Sequence, residues 1–287
     1  MKVVLFCGGR GIRLRELSEA IPKPMVTIGY RPILWHVMRY YAHFGHRDFI
    51  LCLGYRADAI KEYFLRYEEA LSNDFVLSDG GRQIELLGSD IQDWRITFAD
   101  TGLDSTIGER LNLVRHHLEG EELFLANYGD TLTDAPLDRI VAEARSSDAV
   151  ATLLSVRPPY SFHVVRSSPD GLVSSVRDTE GSGVRINGGG YILRPAIFDY
   201  LASGQDLVDE PFRQLGAKGL VRAVEYDGFW ASLDTLKDLQ TLQRMEEVGP
   251  APWALWRVGT PSGPPPASPS TDGHTEAQVG ADRSLLQ

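Results

Sequence analysis

An apolar, β-branched run, Val3-Val4-Leu5-Phe6-Cys7, passes without a break into the loop Gly8-Gly9-Arg10-Gly11-Ile12-Arg13-Leu14. Such a run reads as a strand buried on both faces, the usual state of a parallel sheet. The loop's glycines let the backbone approach a ligand with no Cβ in the way. A strand that ends in such a loop and feeds a helix presents free N–H groups, which hold phosphate. Arg10 and Arg13 add positive charge, and Pro22-Lys23-Pro24-Met25 holds a lysine between two residues of fixed φ. Two familiar phosphate loops do not fit. A Walker A loop ends in Gly-Lys-Ser/Thr, where this one has Ile12-Arg13-Leu14, and the dinucleotide fingerprint asks for a glycine where Leu14 stands. Alone, the loop reads almost equally as a turn with solvated arginines. With Lys23 it reads as a phosphate loop.

Downstream, strands and helices alternate. The pattern predicts a helix over 33–44, a strand over 48–53, a helix over 57–71, a strand over 95–99, a helix over 108–118 and a strand over 122–127. This alternation is the signature of an α/β fold with a parallel sheet. Ligands of such sheets sit beyond the carboxyl ends of the strands, where Gly8-Gly9, Gly54-Tyr55, Asp100-Thr101-Gly102 and Gly129-Asp130 fall. From 149 the pattern shifts to short strands (151–156, 162–166, 173–177, 190–193), with helices expected over 195–202, 211–218 and from Asp234 to about 248. Residues 257–287 are dominated by Pro, Gly, Ser, Thr and acidic side chains, which predicts a disordered tail.

Composition narrows the function. The net charge of −10 argues against general binding to nucleic acid or anionic membranes. No apolar run reaches the roughly 20 residues of a spanning helix, and the N-terminus enters a strand with no signal pattern, so a cytoplasmic protein is expected. Cys7 and Cys52, the only cysteines, each lie in an apolar run and read as reduced core residues. The histidines complete no metal-ligand spacing.

The stretch Leu5 to Leu14, then Pro22-Lys23-Pro24-Met25-Val26 and Arg31-Pro32-Ile33-Leu34-Trp35-His36, resembles the start of the sugar-1-phosphate nucleotidylyltransferases. Among them the glucose-1-phosphate cytidylyltransferases are most similar, over residues 1–256. The resemblance implies a Rossmann-like mixed, mostly parallel sheet flanked by helices, of the nucleotide-diphospho-sugar transferase type. It divides the chain into a nucleotide half (1–148), a smaller β-rich sugar-side half (149–226) and a returning metal-binding segment (227–256).

The implied reaction joins a nucleoside triphosphate (CTP) to a sugar 1-phosphate (glucose 1-phosphate), releasing pyrophosphate. It needs in-line positioning and charge neutralisation rather than a covalent nucleophile. Arg13 would offset charge on the leaving pyrophosphate and Lys23 would sit by the α-phosphate. Asp130, which alone reads as an N-cap, and Asp234, which alone reads as a helix-start aspartate, match the family's Mg²⁺ ligands. Gly8, Gly9, Gly11, Tyr55, Thr101, Gly102, Arg110 and Gly129 match the nucleotide pocket. Thr101 reads equally as an N-cap, and Arg110 as a solvated helix residue. Relatives form symmetric oligomers, which implies a homo-oligomer here.

Departures cluster on the acceptor side. Asn187-Gly188-Gly189 and Glu210 match the family's sugar-binding positions. Its Glu-Lys-Pro motif falls at Arg177-Asp178-Thr179, so the lysine that binds the sugar phosphate is replaced by Asp178, and His163 stands where glycine is expected. Arg185, with Arg177 beside it, is the candidate for the missing charge, against a plain surface role. Two rival readings therefore stay open: a different phosphorylated acceptor, or a non-catalytic nucleotide-binding homologue.

Overall fold

The computed structural model describes residues 1–9, 21–159, 162–179 and 181–257. β1 (Lys2–Phe6) is followed by the short paired strands β2 (Thr27–Ile28) and β3 (Arg31–Pro32), the helix Ile33–His43 and β4 (Asp48–Leu53). The helix Ala57–Leu65, a hairpin of β5 (Phe75–Ser78) and β6 (Gln83–Leu86), β7 (Arg95–Asp100), the helix Ile107–Leu113 and β8 (Phe124–Tyr128) come next. β9 (Thr131–Thr133), the helix Leu137–Arg145 and β10 (Ala151–Val156) lead into a second hairpin, β11 (His163–Ser167) with β12 (Val173–Asp178). Then follow β13 (Ile186–Asn187), β14 (Tyr191–Leu193), the helix Glu210–Ala217, β15 (Val221–Tyr226), β16 (Trp230–Ser232) and the helix Leu236–Val248.

Eight of these strands form one mixed sheet, ordered β13-β10-β14-β8-β1-β4-β7, with β15 on the other edge of β10. β8, β1, β4 and β7 run parallel, so their carboxyl ends share one rim. Alternation across β1 sends Val3 and Leu5 into one apolar layer and Val4 and Phe6 into the other, which is why the strand is apolar throughout. β14 enters antiparallel beside β8 and turns the sheet toward β10 and β15. The result is the expected Rossmann-like mixed sheet.

Several local expectations need correction. The helix begun at Ala57 stops at Leu65, and 69–71 is a separate turn of 3-10 helix. The helix expected over 108–118 is likewise split after Leu113, with a 3-10 turn at Arg115–Leu118. Pro195–Tyr200 is 3-10 rather than α. The hairpin β5–β6, the helix Leu137–Arg145, β15 and the β9–β16 pair had no sequence reading at all. Of the tail, Arg257 closes a 3-10 turn and its guanidinium reaches Glu246; the remainder lies outside the described residues.

His36 locks the start of its helix to the C-terminal segment. It is fully buried; its Nε2 lies 3.1 Å from the Ile28 carbonyl, and its Nδ1 accepts the Trp253 indole N–H at 3.2 Å. Accepting at Nδ1 leaves the proton on Nε2, so the ring is held neutral, and burial pulls its pKa down from 6.5 to about 4. The unfolded chain therefore binds more protons between these values, and stability falls as pH drops from 6.5 toward 4. His46, pulled to about 4 by burial, adds in the same direction. Urea denaturation at pH 7 and pH 5 should show a loss of about 2 kcal/mol attributable to His36. A His36→Asn variant should lack that share of the slope, and an unchanged slope would refute the assignment.

Candidate active site

On the rim, three strand-end loops are tied together by one buried side chain. Thr106 opens the helix Ile107–Leu113 through a capping box with Glu109, which places Arg110 one turn in, facing the sheet. The Arg110 guanidinium donates to the carbonyls of Leu53 (3.2 Å), Gly102 (2.9 Å), Gly8 (3.2 Å) and Leu103 (3.3 Å), and to Thr101 Oγ1 (2.8 Å). Thr101 Oγ1 donates in turn to the Leu53 carbonyl at 2.7 Å. Thr101 is therefore no N-cap, and Arg110, only 3% exposed, is no solvated helix residue.

The close packing explains two of the glycines. A Cβ at Gly8 would lie 2.0 Å from the Arg110 guanidinium, and one at Gly54 would lie 2.6 Å from the Gly102 carbonyl oxygen. Gly9 is exposed with open space around it, on the surface of the rim. Tyr55 follows directly, its N–H donating to the Gly8 carbonyl. Gly129 donates to the Phe6 carbonyl, and a Cβ there would lie 2.9 Å from Cys7 Sγ. Cys7 and Cys52 are free, buried thiols, and burial raises the pKa of both.

Next to this rim stand three charged groups from three segments. Asp130 follows β8, and the antiparallel β9–β16 pair returns the chain so that Leu233 N–H donates to the Asp130 carbonyl, bringing Asp234 alongside. Lys23, held in a short 3-10 turn between Pro22 and Pro24, places its Nζ 2.6 Å from Asp130 Oδ2 and 2.7 Å from Asp234 Oδ1. Ser232 Oγ donates to the other Asp234 oxygen, at 2.7 Å. Burial pulls the Lys23 pKa down, but the charge and hydrogen bond of Asp130, joined by those of Asp234, outweigh it and raise the pKa above 10.5. The lysine stays charged.

The acceptor-side positions are arranged differently. Residues 188–190 interrupt the β13–β14 run beside β10; the Gly188 N–H donates to Leu154 O, and the Gly188 carbonyl accepts Trp230 Nε1 at 2.8 Å. Gly189, with φ +72°, leaves no room for a side chain, since a Cβ would lie 2.5 Å from Asn127 Oδ1. Asn187 donates to the Tyr191 hydroxyl and accepts from Gly189 N–H. Glu210 begins its helix and is held by Arg213 and Gln214. Arg185 is bound to Glu225 (3.1 Å) and Asp227 (2.8 Å) and donates to the Ser155 carbonyl, so two carboxylates already balance its charge. Asp178 Oδ1 accepts the Gly181 N–H at 2.6 Å.

The structure thus brings Lys23, Asp130 and Asp234 together and gathers Gly8, Tyr55, Thr101, Gly102, Arg110 and Gly129 on one rim. Gly11 and Arg13 lie outside the described residues. Asn127 was missed as a site-shaping residue: its Oδ1 accepts the Gly190 N–H at 3.0 Å and fixes the glycine turn. A buried amide in an apolar strand was the available signal. Among the described residues no group of three or more His, Cys, Asp or Glu could hold a metal, and no helix is long and apolar enough to cross a membrane.

The family model described as nucleotidyl transferase matches residues 2–246. The glucose-1-phosphate cytidylyltransferase of Salmonella typhi is 36% identical over 257 residues, covering 89% of this chain and all of its own length. The probable glucose-1-phosphate cytidylyltransferase of Bacillus subtilis (strain 168) is 35% identical, with the same coverage. The structure of a UDP-glucose pyrophosphorylase from Acinetobacter baumanii superposes with a TM-score of 0.63 at 19% identity, over 90% of this chain and 97% of that one.

Proposed function

The chain belongs to the nucleotidyl transferase family, and from that premise we propose that it transfers a cytidylyl group from CTP to glucose 1-phosphate, releasing pyrophosphate, with Mg²⁺ as cofactor. The observation that carries the reading is the Lys23 ammonium held between Asp130 and Asp234 at the edge of a glycine-lined rim. Pure binding of a nucleotide has no need of two carboxylates there. An oxygen of the sugar 1-phosphate attacks the α-phosphorus, the bond to the β-phosphate breaks, and pyrophosphate leaves with the electron pair. Lys23 offsets charge on the phosphoryl group in transfer, and the Arg110-pinned loops hold the nucleotide in line for attack.

The donor set fits a divalent ion. Two carboxylates from opposed segments already enclose a cation, and hard oxygen ligands of this number leave the other positions to water and phosphate. Mg²⁺ held by Asp130 and Asp234 would neutralise phosphate charge and orient the reacting oxygens. The choice of CTP and glucose 1-phosphate rests on the named activity of relatives at 35–36% identity over their whole length. A second reading, a different phosphorylated acceptor, is favoured by Asp178, whose carboxylate caps a turn where the family's lysine would meet the sugar phosphate.

The test is pyrophosphate release with CTP, UTP, dTTP, ATP and GTP crossed against a panel of sugar 1-phosphates, with Mg²⁺ and with chelator. Turnover confined to CTP, glucose 1-phosphate and Mg²⁺ is expected; turnover with CTP and another sugar would transfer the assignment to the second reading. Asp234→Asn keeps the shape and removes one charge, and should lower kcat by about 10²-fold, the scale of one preorganised electrostatic contact. A variant as active as the parent would remove Asp234 from the mechanism.

A further inference from the structure

The β11–β12 hairpin carries a basic pocket on the face opposite Asp178. Its register pairs Val164 with Arg177 and Arg166 with Ser175, so these four side chains share one face, while His163, Val165, Val176 and Asp178 take the other. Ser182, from the turn after β12, closes the same hollow of about 110 Å³. Arg166 and Arg177 are diagonal cross-strand neighbours of like charge, both exposed residues that line the hollow.

No carboxylate among the described residues pairs with either guanidinium. Arg157, Arg185 and Arg222, on or beside the neighbouring strands, each hold a carboxylate. Arg166 and Arg177 have none among the described residues, in a chain with 39 acidic and 29 basic side chains. The nearby carboxylate, Asp178, is on the opposite face and is bonded to the Gly181 N–H. Ser182 already donates to Thr179 O and accepts from Val184 N–H, whereas the Ser175 hydroxyl is uncommitted. The pocket therefore offers two planar guanidinium forks and a hydroxyl, a donor set that matches tetrahedral oxyanions.

We propose that Arg166, Arg177 and Ser175 form a binding site for a phosphoryl dianion, supplied as inorganic phosphate or as the phosphate of a sugar phosphate. The site is defined by its own geometry and stands whether or not the nucleotidyl-transfer reading holds. Calorimetric titration of the full chain with inorganic phosphate should reveal a site that is weakened at least 10-fold in Arg166→Ala/Arg177→Ala. Arg166→Lys/Arg177→Lys, which keeps charge without the fork, should recover part of the affinity. It also guards against loss through misfolding, and unchanged circular dichroism of both variants would confirm the fold. Displacement of phosphate by glucose 1-phosphate would identify a sugar phosphate as an occupant, and no displacement would identify the free anion. Equal phosphate binding by the parent and the double alanine variant would overturn the proposal.

Discussion

Replacing Lys23 with alanine is expected to lower kcat/KM for pyrophosphate release by about 10³-fold, at the upper end of the effect of one preorganised charge in a water-poor site. The side chain is only 15% exposed and contacts both carboxylates directly, so no neighbour among the described residues can take its place. Stability should fall as well, because Asp130 and Asp234 are left facing each other. Breaking a buried ion pair costs about 3–5 kcal/mol, and the partial exposure of Asp234 puts this variant at or below the lower end. The raised Lys23 pKa gives the sign: its contribution is complete below pH 10.5 and is lost as pH rises through the higher folded value. Lys23→Arg should recover much of the stability and little of the activity, since a planar fork does not fit a point held by two oxygens. Steady-state kinetics with urea denaturation checks both parts. An alanine variant within 10-fold of the parent would remove Lys23 from the reaction.

Arg110→Ala should give the largest loss of stability. The substitution deletes hydrogen bonds to four carbonyls and a hydroxyl; the Leu53 and Gly8 carbonyls keep other donors, whereas those of Gly102 and Leu103 lose their donor. With about 1–3 kcal/mol for each unsatisfied buried group, partly relieved by relaxation, a loss of about 4 kcal/mol is expected. That corresponds to a fall in Tm of about 10 °C for a chain of this size. Arg110 acts as a positioning residue, because its bonds set the spacing of the Gly8, Gly54 and Thr101–Leu103 loops. KM for the nucleotide should therefore rise more than kcat falls. Arg110→Lys cannot span the same five acceptors and should rescue only a fraction. Equal effects on KM and kcat would indicate that loop spacing is not what Arg110 supplies.

Legibility followed locality. β1 and its glycine loop could be read because a strand buried on both faces is apolar throughout, a pattern visible within five residues. β4 and the helix Ile33–His43 were equally clear. The hairpin β5–β6 was not, since all eight of its residues are exposed and no core face imposes alternation. β15 was missed for a related reason: it lies at the edge of the sheet, half-exposed, and Arg222 and Glu225 hide its period. The split of the expected 108–118 helix depended on Val114, whose N–H turns back to Asn112, a local event with no glycine or proline to mark it.

Charged residues divide the same way. The sequence by itself determined which strand ends carry glycines, that a lysine sits between two prolines, and that Asp130 follows a strand, because backbone preference and burial act over a few residues. The tertiary structure decided which charges meet. Lys23 and Asp234 are 211 positions apart and 2.7 Å apart in space. Arg185 is neutralised by Glu225 and Asp227, while Arg177 meets no carboxylate among the described residues. Coulomb attraction and hydrogen bonding depend on distance through space and on the water removed around each group, and neither quantity is written in the order of the chain.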